Sequence, residues 1–432
     1  MSASTFRSSA KLFDEMDFQR AVQAYLWALP YVSLGQFQSE QRDNFGAQNL
    51  DYVDYIDLKD RLGILTANAT TPYSMAFPNL VLTGPLVIEI PAGPTAGGVT
   101  DFWQRPLTDT GALGPEKAQG GKFLILGPGD PDMRPDGYHV FRSPTSNFWS
   151  GNRSLDADPA KAKALLGKVR IYPFSQRENP KDVSRHLGFE GRKWAGQQPG
   201  GLAYWALLSR LVNEEPAIER DRITLATLAP LGVEKGKPFA PDERQKRNRR
   251  RVDGPRQRLR QALRGRRDLA GQGLGICAPH AEDGPGSAEL HTTHERSSWF
   301  YEAIGVVEAM MGRTVGAGQL YLAASKDANG KRLDGGKPYA LHVPKDAPAA
   351  QFWAFTVYDN ETRCLVDTGT SPERTSRDDI VKNADGFVDL TFGPTAPAGK
   401  PPQNWIKTLP NKGWFAYFRI YGPTQPYFDR TW

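Results

Sequence analysis

The spacing of apolar positions divides the chain into helical and strand-like stretches. Phe18, Val22, Tyr25, Leu26 and Leu29 recur on one face, so 16–29 reads as an amphipathic helix that Pro30 should end. From Asn79 to about Val140 the period falls to two. In PLVIEIP (85–91), Leu86, Ile88 and Ile90 face one way and Val87 and Glu89 the other, while GKFLILGPGD (121–130) is a short apolar run closed by a turn. Residues 158–167 and 201–213 are helical in pattern, 221–231 more weakly so, and 299–311 is apolar nearly all round, as a buried helix is. Strand patterns follow at 337–344, 351–359, 386–394 and 413–423, the third preceded by the tight turn NADG (383–386). Strands and helices do not alternate as a parallel sheet requires. The expected fold is therefore α+β, mainly β: two antiparallel β-sandwich or jelly-roll-like domains with accessory helices. Residues 1–238 form the first domain, 239–298 an interdomain segment and 299–432 the second.

Charge sets the middle segment apart. The total is +6, yet Arg244–Arg267 alone holds eleven Arg and Lys246 against Asp253, so the rest of the chain is acidic. Between Phe239 and Trp299 no Phe, Trp or Tyr occurs, in a chain whose aromatic content is 11%. Gly, Pro, Arg and Ala dominate instead. Three readings compete: a disordered linker, a basic arm for nucleic acid or an acidic partner, or a stretch translated out of frame between two compensating indels. In each, residues 244–296 should add nothing to a packed core.

Elsewhere composition mostly excludes. With 39% hydrophobic and 24% charged residues the chain is that of a soluble globular protein, and no apolar run approaches the roughly 18 residues that span a bilayer. Two cysteines, Cys277 and Cys364, cannot build a disulfide framework or a Cys-rich zinc module. The N-terminus lacks the apolar stretch of a secretory signal, which reads as cytoplasmic, or as periplasmic or secreted if the true start lies upstream. There is no GxSxG, HExxH, P-loop or CxxC. GQGLGI (271–276) lacks the flanking strand and helix of a dinucleotide loop, HTTHE (291–295) offers His291 and His294 without a third ligand, and DANGKRLDGG (327–336) reads as a polar hairpin loop. No metal or cofactor is expected.

Two clusters carry candidate chemistry. DFWQRPLTD (101–109) combines Asp101, Trp103, Gln104, Arg105 and Asp109, either a polar ligand pocket or an Arg–Asp pair holding a loop. In GWFAYFRIY, alternation puts Trp414, Ala416, Phe418 and Ile420 on one face and Phe415, Tyr417, Arg419 and Tyr421 on the other. An Arg among aromatics either recognises a carboxylate or ring, or needs an acidic partner such as Asp359.

The strings ILTANATTPY (64–73), DFWQRPLTD, GGKFLILGPG (120–129) and YPFSQRENP (172–180) resemble the domain of unknown function 1254. DGGKPYALHVP, QFWAFTVYDNETR, KNADGFVDLTFGP, NWI (404–406) and GWFAYFRIYGPTQPYFDRTW resemble its partner, the domain of unknown function 1214. The resemblance implies β-rich sandwiches with accessory helices and a family whose members are often bacterial and secreted, without an agreed reaction. It lapses over 244–296, where relatives carry helical, aromatic-bearing sequence.

The function expected is binding of a small organic molecule in an interdomain cleft, with a lean towards its hydrolysis. Asp101 and Asp359 are the candidate catalytic carboxylates. Asn68, Thr71, Tyr73, Trp103, Gln104, Tyr358, Asn404, Arg419 and Tyr421 are the candidate ligand groups. The alternatives are a non-enzymatic binding or assembly module, self-association into a homo-oligomer included, and nucleic-acid binding through the Arg-rich segment.

Overall fold

The computed structural model describes residues 3–249, 252, 275–276, 300 and 314–432. Its first element, α1 (Ala3–Phe45), runs straight through Pro30 rather than ending there. An internal proline costs a helix about 3 kcal/mol. Each large apolar side chain fully buried returns about 1.5–3 kcal/mol, and Leu26, Leu29, Val32 and Leu34 are all buried. Helix α4 (Gly201–Glu214) packs alongside and ties the turns flanking the proline: Tyr204 Oη donates to the Tyr25 carbonyl and Tyr31 Oη to the Leu211 carbonyl, both at 2.8 Å. Tertiary burial overrides the local stop signal.

The N-terminal strands are β1 (Tyr52–Tyr55), β2 (Tyr73–Ala76), β3 (Leu86–Ile90), β4 (Thr95–Asp101), β5 (Pro106–Gly111), β6 (Gly121–Leu126), β7 (His139–Arg142), β8 (Phe148–Ser154), β9 (Arg170–Pro173) and β10 (His186–Leu187). They form a six-stranded sheet, β10-β1-β2-β8-β4-β5, and a four-stranded sheet, β7-β6-β3-β9. Between the two lies a core of Leu86, Ile88, Ile90, Val99, Phe123, Ile125, Phe148 and Ile171. Leu86, Ile88 and Ile90 thus point inward, as their alternation requires. Helix α2 (Leu58–Arg61) follows β1, and α3 (Pro159–Leu166) covers β8. Pro159 opens α3 behind an Asp158 cap that accepts from the Ala160 and Lys161 amides.

The C-terminal strands are β11 (Gly275–Ile276), β12 (Gln319–Ala324), β13 (Tyr339–Val343), β14 (Ala349–Asp359), β15 (Glu373–Thr375), β16 (Val388–Gly393), β17 (Trp405–Lys407) and β18 (Trp414–Pro423). A five-stranded sheet, β11-β12-β18-β14-β15, packs on a three-stranded one, β13-β16-β17. Trp414, Ala416, Phe418 and Ile420 enter the core between them with Trp353, Phe355, Leu390 and Phe392. Pairing is antiparallel except at β1/β10, β6/β7 and β16/β17. The Gly386 amide donates to the Asn383 carbonyl at 2.9 Å and Gly386 takes φ +85°, closing the NADG turn.

The other face of β18 does not belong to the C-terminal sandwich. Phe415 and Tyr417 join Tyr321 and Tyr358 in the core built around α1, α4 and α5 (Arg222–Leu228), so one hydrophobic cluster draws on both halves of the chain. Among the described residues no helix is long and apolar enough to cross a membrane.

Within the Arg-rich segment, 243–249 is helical. Arg244 pairs with Asp14 and Asp17. Arg249 is buried, its guanidinium 5.5 Å from the Trp205 ring centre and 4.8 Å from that of Phe239, and burial pushes it down to about 10. This corrects the expectation that 244–296 adds nothing to a packed core: Val252 is buried in the cluster around α1, and Arg249 lays a cation on aromatic faces, which a search for apolar side chains overlooks. Apart from Val252 and the β11 pair Gly275–Ile276, the remainder of the segment, with HTTHE and, apart from Phe300, the helix expected over 299–311, lies outside the described residues.

Candidate functional site

Residues 64–71, the first family-like string, run between the two halves and bind both. Leu65 pairs with Cys364 as an antiparallel bridge, and the Thr66 amide donates to the Arg363 carbonyl at 2.8 Å. Tyr358 Oη donates to the Ala67 carbonyl. The Ala69 amide donates to Glu373 Oε2 at 3.1 Å and the Thr70 hydroxyl to Glu373 Oε1. The side chain of Asn68 shapes the loop from within, accepting from the Thr70 and Thr71 amides at 3.1 and 2.7 Å and donating to Tyr73 Oη at 2.7 Å.

This strap forms part of the wall of a cavity of ≈ 230 Å³ lying between the halves. Ile64, Leu65, Met75, Trp149 and Leu155 supply an apolar wall, and exposed Ala112, Leu113 and Gly316 lie at its mouth. Arg153, Arg419, Tyr73, Tyr321, Tyr421, Asn152 and Gln319 supply its polar groups. The sheets bring these together by register: Tyr321 on β12 faces Arg419 on β18, Gln319 faces Tyr421, and Tyr73 on β2 faces Arg153 on β8.

Arg419 is buried, donating through Nη1 to Thr356 Oγ1 at 2.8 Å and through Nη2 to the Thr66 carbonyl at 2.7 Å. The rings of Tyr321, Tyr358 and Tyr417 surround it at 5.3, 5.5 and 5.5 Å. Burial alone would lower its guanidinium, but the neighbouring tyrosines, Tyr358 foremost, outweigh that and keep it charged. Arg153 lies 5.2 Å from the Tyr73 ring centre and makes a long 3.4 Å contact to Gln319 Oε1. Burial raises the phenols of Tyr321, Tyr358 and Tyr421, against the pull of Arg419, so all three keep their protons as donors. The Tyr421 hydroxyl is buried with no partner. Among the described residues the cavity lining contains two arginines and no carboxylate.

The floor depends on glycine. A Cβ on Gly151 would sit 1.9 Å from Trp149 Cζ2, and one on Gly97 would sit 2.3 Å from the Gly151 carbonyl oxygen. Gly151→Ala should therefore push the Trp149 ring into the cavity and cost about 1–3 kcal/mol, checked by urea denaturation with Trp fluorescence. A variant with unaltered midpoint and emission would contradict this packing.

Of the expected site residues, Asn68, Tyr73, Arg419 and Tyr421 line the cavity. Tyr358 stands behind Arg419, and Thr71 closes the Asn68 turn. The others lie elsewhere. Asp101 pairs with Arg105 and accepts from the Trp103 and Arg105 amides at 2.9 Å each, so the loop-holding alternative describes it. Trp103 stacks on Tyr31 at 4.0 Å, and Gln104 is buried at φ +65° in the same loop. Asn404 fastens Val381 and the Asp389 carbonyl. Asp359 accepts from the Glu361 and Thr362 amides and faces Lys412 at 3.4 Å, so it is not the acidic partner of Arg419. The nearest acid is Glu373, reached through Thr356, whose hydroxyl donates to Glu373 Oε2 at 2.5 Å. Arg153, Tyr321 and Glu373 escaped the sequence reading; Arg153 shares its strand face with Trp149 and Gly151 and lacks the run of aromatics that marked Arg419. Among the described residues no group of three or more His, Cys, Asp or Glu could hold a metal ion.

Two open β-sandwiches, clasped by a helical layer around a shared cleft, define the class. The chain belongs to the two-domain family that joins DUF1254 and DUF1214, each described as a protein of unknown function, matched here at residues 51–173 and 318–425. A crystal structure of the VPA0106 protein from Vibrio parahaemolyticus is similar over 95% of this chain and 96% of that one, with a TM-score of 0.58 at 15% identity, a likeness of fold. An uncharacterized protein from Burkholderia cenocepacia aligns over 98% of this chain and 95% of its own at 10% identity, with a TM-score of 0.42. No curated protein matches the chain.

Proposed function

We propose that the protein binds a small organic molecule in the cleft between its two domains. The observation that supports this is the ≈ 230 Å³ cavity itself, which joins an apolar wall to convergent polar groups, among them the buried and unpartnered Tyr421 hydroxyl. Leaving such a donor unsatisfied costs about 1–3 kcal/mol, which a ligand acceptor would recover. The volume is below the usual range of roughly 300–1,000 Å³ for drug-sized ligands, so the ligand is small. Hydrolysis gains no comparable support, since Asp101 and Asp359 are both engaged outside the cavity lining.

The test is native mass spectrometry of the purified full-length protein beside Ala317→Trp, which fills the cleft from the partly exposed loop bordering it. The wild type should retain a compound that the variant lacks at unchanged melting temperature. Equal retention in both would place binding elsewhere and defeat the reading.

A further inference from the structure

We infer that the ligand of this cleft is a small carboxylate, its anionic end between Arg153 and Arg419 and its apolar body against Trp149. The inference rests on the binding reading above and adds the charge class. Two guanidiniums, Arg419 buried and Arg153 partly so, border one cavity whose lining, among the described residues, holds no acid. Like charges gathered out of water are costly unless an anion joins them. Arg419 is already held in place by Thr356 and the Thr66 carbonyl, and the one carboxylate behind it, Glu373, is reached only through the Thr356 hydroxyl and lies outside the lining. Among the described residues Arg153 has the long contact to Gln319 and the face of Tyr73, which leaves most of its five N–H donors for a ligand. Tyr421, two residues beyond Arg419 on β18 and opposite Gln319, adds a protonated hydroxyl.

The surroundings favour a carboxylate over a phosphate. Phosphate sites usually add backbone N–H groups from a helix N-terminus or a glycine-rich nest. Here the lining strands have their amides engaged in ladders, and the loop amides of Thr66, Asn68, Gly316 and Ala317 donate to the Arg363 carbonyl, Tyr73 Oη and the Pro423 and Thr314 carbonyls. A planar carboxylate suits the flat fork of a guanidinium. The apolar lining of Ile64, Leu65, Trp149 and Leu155 would exclude a fully hydrated ion and accept a short aliphatic or single-ring body.

The experiment is calorimetric titration of the full-length protein, after partial unfolding and refolding to free the cleft, with acetate, butyrate and benzoate, each beside its neutral amide, and with inorganic phosphate. Benzoate or butyrate should bind at least about tenfold more tightly than the matching amide, and Arg153→Met should weaken the acid by roughly 30-fold or more but the amide, which accepts a hydrogen bond without a charge, by less than about tenfold. Arg153 contributes no bond to the strap, so this variant keeps its fold where Arg419 variants risk losing theirs. Amides binding as well as acids, and blocked by Ala317→Trp, would overturn the carboxylate class and leave the cleft reading standing. Phosphate outranking every carboxylate, or acids binding Arg153→Met undiminished, would overturn it as well. No binding by any probe, together with a neutral compound retained from purification, would overturn it while preserving the cleft reading; no binding and no retained compound would remove both.

Discussion

Glu215→Ala should lower stability by about 3–5 kcal/mol, the largest single loss expected outside the apolar core. Glu215 lies just past the end of α4, is buried, and accepts from the Ser146 amide at 2.5 Å, the Asn147 amide at 2.9 Å and Asn147 Nδ2 at 2.7 Å. Asn147 in turn accepts from Gln38 on α1 and from Asn79. One carboxyl group thereby ties two helices to the loop that enters β8. Truncation strands three donors without water to replace it. Urea midpoints measure the loss, and a change below about 1 kcal/mol would show that the network is dispensable.

The same group makes stability depend on pH. Burial outweighs the three donors and pushes the Glu215 carboxyl up to about 7. A group raised on folding favours the folded state while protonated. Its contribution is complete below the ordinary carboxyl range near 4.5 and is lost as pH climbs through about 7, a decline of order 3 kcal/mol. Glu215→Gln should flatten that slope. An identical slope in the variant would assign the titration to another group.

Glu373→Ala should cost a similar 3–5 kcal/mol, and here the damage falls on the seam between the halves. Glu373 is buried on β15 and accepts from the Ala69 amide and the hydroxyls of Thr70 and Thr356. Through Thr356 it is also the carboxylate nearest to Arg419. Its removal strands the strap's donors and leaves Arg419 without that distant compensation. Glu373→Gln keeps an acceptor and should cost only about 1–2 kcal/mol. If the Thr356 relay couples the two charges, Glu373→Ala and Arg419→Met together should cost less than their sum by about 1 kcal/mol or more. Additive losses in the double-mutant cycle would show that Glu373 serves the strap alone.

The alternation of β3, β14 and β18 was legible in the residues because a strand has only two faces. Trp414 to Ile420 therefore sort correctly without a structure. Turns with strong local chemistry, such as Asn383–Gly386, were equally readable. The family motifs located the strap and four of the cavity's polar groups for the same local reason: Asn68 and Tyr73 are joined within six residues, and Arg419 and Tyr421 share one face of one strand. Pro30, Asp101, Asp359 and Arg153 were decided elsewhere. Whether a proline ends a helix depends on what buries the next two turns, and here α4 does so. Whether an aspartate faces a ligand or its own loop depends on which amides come within 3 Å, and those of residues 103 and 105 claim Asp101. Arg153 and Arg419, 266 positions apart, meet because two sheets from opposite ends of the chain close on a common cleft. Periodicity carries information over a few residues, whereas the charge of a site is summed over every strand that reaches it, and only the packed sheets perform that sum.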